Sequence, residues 1–177
     1  MIRTLLYTLA ISLVVGCASS GPTVSSNKDP SANFAGIQTF GFMNPLGTDR
    51  SGARTPLSQM LANSVIKELE MRGMRQSETP DVAINFFVNT EQRMDVRQVP
   101  TSGFHRYRHG RYRTWGGYET RVREFTQGTL ALDIVDPQRG VMIWEGTAVG
   151  RLGRGNIEIT QEQVDDVVAA VLKEFPR

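Results

Sequence analysis

The sequence of 177 residues holds a single cysteine, Cys17, and two histidines, His105 and His109. One thiol cannot close an internal disulfide, and one thiol with two imidazoles cannot assemble the four-ligand clusters that hold structural zinc. His105 and His109 stand four apart, a spacing that would place both rings on one face of a helix. Gly103 and Gly110 bracket them and no further histidine or cysteine completes a site, so no metal is expected; the pair reads as part of a basic stretch that gains charge as pH falls through about 6.5. Charge of one sign is also scarce. The formal net charge is +2, which a cleaved leader containing Arg3 would lower by one, and a balance of that size singles out no partner. No apolar run approaches the roughly 20 residues that a membrane-spanning helix needs.

Complete catalytic motifs are missing as well. Ser64-Val65-Ile66-Lys67 has the S-x-x-K spacing of serine acylases, but no SDN or KTG segment accompanies it and the four residues fall inside an amphipathic helical pattern. GRLGRGN, residues 150–156, is glycine-rich without the Lys-Ser or Lys-Thr of a phosphate-binding loop. Asp133, Asp136 and Glu145 read as solvated carboxylates around a turn. The chain is therefore expected to be non-enzymatic, with no cofactor.

What the sequence does contain begins at its N-terminus. Residues 1–16 read as a secretory leader, with Arg3 as the positive start and Leu5 to Val15 as an apolar core of the right length. Leu13, Val14, Val15, Gly16 and Cys17 resemble the bacterial lipobox. That resemblance implies cleavage before Cys17, a diacylglycerol on its sulfur and a further acyl chain on the freed amine. At about 0.8 kcal/mol per buried methylene, several chains anchor a protein stably where one does not. In a Gram-negative host, Ala18 after the cysteine implies sorting to the outer membrane, facing the periplasm. Residues 17–28 are then expected to be the lipidated cysteine and a flexible tether, small and polar throughout, and residues 29–177 the globular domain.

Within that domain, Ile37 to Phe42 reads as a short strand. A helix follows, with Thr55 as cap, Pro56 at its first position, Leu57, Leu61, Val65 and Leu69 along one face, and Gly73 as stop. Asp81 to Asn89 alternates as a half-buried strand that can run on through Val99. Thr129 to Val135 and Val141 to Val149 flank Asp136-Pro137-Gln138-Arg139-Gly140 and predict a tight antiparallel hairpin. A closing helix has the capping pair Thr160 and Gln163 and the stripe Val164, Val167, Val168, Val171, Leu172 and Phe175. The expectation is an α+β two-layer sandwich of order βαβββα: a mostly antiparallel sheet of about four strands with both helices on one face. The first two strands, joined through a helix, would run parallel if adjacent.

DPSANF, LSQMLANSVIKELEMRGM, DVAINFFVN, GTLALDIVD, VMIWEGTAVG and the closing KEFP, taken in order, resemble the DUF4136 lipoproteins. The resemblance implies a secreted, membrane-anchored α/β domain and supplies no catalytic residues.

The most unusual stretch is GFHRYRHGRYRTWGGYETRVR, residues 103–123, with six arginines and five aromatics against the single acid Glu119. Arg106, Tyr107, Arg108, Arg111, Tyr112, Arg113 and Trp115 interleave guanidinium groups and rings, a pattern that pairs with phosphates and stacks on sugar faces. Outside the cell membrane nucleic acid is excluded as a partner, which leaves lipid or lipopolysaccharide phosphate and peptidoglycan. The plainer reading, a solvated Gly-rich connection in a long hairpin, is preferred while nothing rigid is known to hold the stretch. The sequence thus points to a lipid-anchored envelope protein acting as an interaction or scaffolding module for another envelope component, with a binding protein for anionic glycan, lipopolysaccharide or lipid as the alternative.

Overall fold

The computed structural model describes residues 21–101, 117–152 and 158–176. Their backbone forms β1 (Thr23–Lys28), a short 3-10 turn (Phe34–Gly36), β2 (Thr39–Phe42), α1 (Pro56–Met71), β3 (Arg75–Gln76), β4 (Val82–Thr101), β5 (Gly117–Asp136), β6 (Val141–Leu152) and α2 (Gln161–Leu172). Six strands make one mixed sheet in the order β1-β6-β5-β4-β2-β3.

Both helices begin, and α1 ends, where local chemistry dictates. The Thr55 side chain accepts the Ser58 N–H at the start of α1, and Pro56 fills a position whose N–H has no helical partner. Gly73, at φ +86°, turns the chain out of the helix. At α2 the Thr160 hydroxyl and the Gln163 side chain cap one another's backbone N–H groups. The β5–β6 hairpin closes on a tight turn: Asp136 Oδ1 accepts from the Gln138 and Arg139 N–H groups, and Gly140 takes φ +64°.

The core lies between the helices and one face of the sheet. Val82, Ile84 and Phe86 of β4, Leu130, Leu132 and Ile134 of β5, and Trp144 and Ala148 of β6 alternate toward it, and Leu61, Val65, Leu69, Val168 and Leu172 meet them from the helices. The parallel pairing of β2 with β4, Phe40 opposite Val82, and the antiparallel hairpin both agree with the sequence reading.

Three features differ from it. The sheet has six strands and is mixed, where about four mostly antiparallel ones are expected, and the order of elements is ββαββββα. Residues 23–28, expected to belong to the tether, form edge strand β1 along β6, from Thr23 opposite Val149 to Lys28 opposite Trp144. An edge strand is held by its backbone ladder on one side and needs no apolar stripe, so TVSSNK carries no period-two signal. Residues 117–123, expected to be loop, belong to β5, which with β4 runs far beyond the rest of the sheet.

Candidate functional site

Of the residues singled out in the sequence, Cys17, Arg106, Tyr107, Arg108, Arg111, Tyr112, Arg113 and Trp115 lie outside the described residues, as do His105 and His109. The elements on either side of them are described. β6 ends against β5 at Leu152 opposite Thr126, and β2 pairs with β4 through residue 84. Beyond Gln92 and Thr126, β4 and β5 pair among the described residues with each other alone, register unbroken to Thr101 opposite Gly117. At about 3.3 Å per residue the two-stranded arm formed by residues 93–101 and 117–125 is roughly 30 Å long. Residues 102–116, which contain the Arg and aromatic cluster, join the strands at its far end.

The arm's two faces are chemically distinct because side chains alternate along each strand. One face, continuous with the side of the sheet that the helices cover, carries Met94, Val96, Val122 and Tyr118 at 68%, 60%, 55% and 73% exposure, with Val96 directly opposite Val122. Gln98, Thr120 and Glu124 stand among them. The other face is charged. Arg93 pairs with Glu91 at 2.9 Å, Arg97 with Asp95 at 3.1 Å and Arg121 with Glu119 at 3.6 Å, while Arg151 of β6 lies 4.0 Å from the centre of the Phe125 ring. Exposed ion pairs of this kind contribute about 0–1 kcal/mol each, so they set the character of the face more than its stability. The sequence does hold a signal for the arm, since RMDVR and YETRVR alternate charged with uncharged residues at period two. That alternation is easily passed over because neither set belongs to the core.

At the foot of the arm the helix side of the sheet opens into a groove of about 770 Å³, floored by Val88, Leu130 and Ala148 and walled by Leu57, Val164 and Val167. Glu158, Asp166 and Arg151 stand among its lining residues, and so does Pro22, where the chain enters β1.

The S-x-x-K residues have a different position and a different chemistry. Ser64 is 1% exposed between α1 and α2; its hydroxyl donates to Asp165 Oδ1, and Gln161 Nε2 donates to both at 2.8 Å. Lys67 Nζ donates to Asp165 Oδ2 at 2.9 Å. The hydrogen bonds from Ser64, Lys67 and Gln161 hold the Asp165 carboxyl down at about 2, and Asp165 in turn raises Lys67. A lysine pushed up stays protonated and a carboxylate pushed down is a weak base, so neither is poised to deprotonate the serine. The cluster clasps the two helices together.

One carboxylate near the turn, Asp133, also differs from its reading as a solvated group. Asp133 is 6% exposed and its Oδ1 has no hydrogen-bond partner among the described residues; burial first and the neighbouring Glu145 second raise its pKa. It stands in a cross-strand row with Asn85, Glu145 and Asn27 on the sheet face away from the helices.

A family model described as Domain of unknown function (DUF4136) matches residues 24–177. No curated protein matches. Among solved structures, a PDZ domain protein from Parabacteroides distasonis superposes with a TM-score of 0.58 at 16% identity, over 88% of this chain and 36% of that one. This chain therefore spans about a third of that protein, and the likeness is one of fold. Two PelC dodecamer structures from Paraburkholderia phytofirmans give TM-scores of 0.43 and 0.45 at 15% and 14% identity, each over 85% of this chain and 94% of that one.

Proposed function

We propose that this chain, which belongs to the DUF4136 family, is a lipid-anchored cell-envelope protein that works by binding, its arm presenting the Arg and aromatic stretch to an anionic glycan, lipopolysaccharide or lipid. The observation that carries this reading is the β4–β5 arm. An Arg-rich segment binds selectively when something rigid positions it, and two strands in unbroken register supply that support at both of its ends, Thr101 and Gly117. The guanidinium groups of Arg106, Arg108, Arg111 and Arg113 then meet phosphates, and Tyr107, Tyr112 and Trp115 meet sugar faces. A lipid anchor at Cys17 raises the effective concentration near the envelope, so weak contacts suffice. The broader role is that of an interaction or scaffolding module.

The test is cosedimentation of a soluble chain starting at Gly21, which keeps all six strands and both helices, with lipopolysaccharide, anionic liposomes and peptidoglycan. Binding to at least one material that weakens with salt, and is lost when the four arginines become serine while the fold persists, supports the reading. Equal binding by both proteins, or by neither, returns residues 102–116 to a solvated hairpin connection.

A further inference from the structure

The apolar face of the arm is paired with nothing in the described chain. Met94, Val96, Val122 and Tyr118 are all more than half exposed on one side of a two-stranded ribbon, while the opposite side carries a row of ion pairs. A solvated hairpin connection needs no such separation of faces, and water on both sides would favour polar residues on both. The place where the described chain enters the sheet bears on the partner of the apolar side. The chain enters the sheet at Pro22, which lines the groove at the foot of the arm on the same side as those four residues. From Cys17 to Pro22 there are five residue steps, at most ~18 Å of fully extended chain. The arm, at roughly 30 Å, is longer than that gap.

We propose that the arm docks its Met94, Val96, Tyr118 and Val122 face onto the surface of the bilayer that holds the Cys17 lipid, so that the domain lies with the groove side toward the membrane. This rests on the reading of Cys17 as acylated and adds an orientation and a second, non-covalent contact to it. The contact is mainly apolar, with Glu124, opposite Met94, the charged residue on that face among the described ones. The arm's described side chains include Arg93, Arg97, Arg121 and Arg123 against Asp95, Glu119 and Glu124, with Glu91 just before its foot, so its insertion into the interface depends little on anionic lipid or on salt, unlike binding through residues 102–116.

The experiment uses the full chain purified from membranes and carrying one of Val96→Cys, Val122→Cys, Arg97→Cys or Arg123→Cys. With Cys17 acylated, the new cysteine is the sole free thiol and takes a polarity-sensitive fluorophore. Each protein is reconstituted into zwitterionic phosphatidylcholine vesicles with and without a nitroxide lipid. Labels at 96 and 122 should shift to the blue and be quenched several-fold more than labels at 97 and 123, at low and high salt alike, following the strand alternation. Equal quenching on both faces, or none on either, overturns the proposal. So does quenching of the 96 and 122 labels by a nitroxide-labelled second copy and not by the nitroxide lipid, which makes the face a self-association surface. Intact mass of the same preparations separates the premises: acyl mass on Cys17 without face-selective quenching defeats the docking alone, and an unacylated Cys17 defeats the anchor as well.

Discussion

Asp165 and Asp133 are driven in opposite directions by their surroundings, and each yields a prediction about pH. Hydrogen bonds from Ser64, Lys67 and Gln161 hold Asp165 at about 2, below its ordinary value near 3.8. Its contribution to stability is therefore present above the unfolded pKa and is lost as pH falls from about 4 through 2. Lys67, raised by the same pair, contributes below its ordinary value near 10.5 and loses that contribution as pH rises through its folded pKa. Asp165→Asn should lower the urea midpoint at pH 7, and the gap from wild type should narrow as pH falls from about 4 through 2; a gap unchanged across that range would separate the clasp from Asp165 ionisation. Asp133 behaves in the reverse sense. Its folded pKa is raised, so its charge costs stability above that pKa and the cost is relieved as pH falls through it. Asp133→Asn should raise the midpoint at pH 7, by an amount that shrinks toward acid; no gain at neutral pH would mean the carboxylate has a partner in solution that keeps it charged.

The elements themselves can be tested through α2 and β1. Leu172 is fully buried against the sheet, and Leu172→Ala should cost about 2–5 kcal/mol in chemical denaturation; an unchanged midpoint would mean that α2 does not pack on the sheet. Gly146 faces the same helix, and a Cβ there would collide with the Trp144 ring and Val171, so Gly146→Ala should destabilise by about 1–3 kcal/mol. Removing β1 exposes the β6 edge, and a chain begun at Asp29 should be less stable and more prone to aggregate than one begun at Gly21, as light scattering and denaturation would register. The helices and the β5–β6 hairpin were legible because their signals are local: Thr55-Pro56 and Thr160 with Gln163 cap, Gly140 turns, and the stripe from Val164 to Phe175 has helical period. β1 was not, because Thr23 to Lys28 pair through backbone atoms that carry no sequence preference. The arm lay between these cases. Its alternation is written in Met94, Val96 and Val122, yet a reading that looks for a buried face finds none and takes residues 117–123 as loop. The buried state of Asp133 was likewise invisible, since a carboxylate beside a turn is ordinarily solvated and its burial here comes from strands brought together across the sheet.

At the scale of the whole molecule, one sheet holds every part in place. Its helix side carries the core, the groove and the apolar face of the arm; its N-terminal strand brings the chain in beside the groove; and its two longest strands extend beyond the core as far as Thr101 and Gly117. The proposed docking depends on the end of the sheet bearing Pro22 being held near a bilayer, and hence on the acylation of Cys17, and the proposed binding draws its effective concentration from the same anchor. The most direct measurement is the intact mass of wild-type chain purified from membranes. The account predicts a mature chain that begins at Cys17 and carries the added mass of its acyl groups, with Cys17→Ala leaving an uncleaved or soluble product without that mass. A membrane-purified wild-type chain that begins at Cys17 with no acyl mass, or that retains residues 1–16 uncleaved, would contradict it.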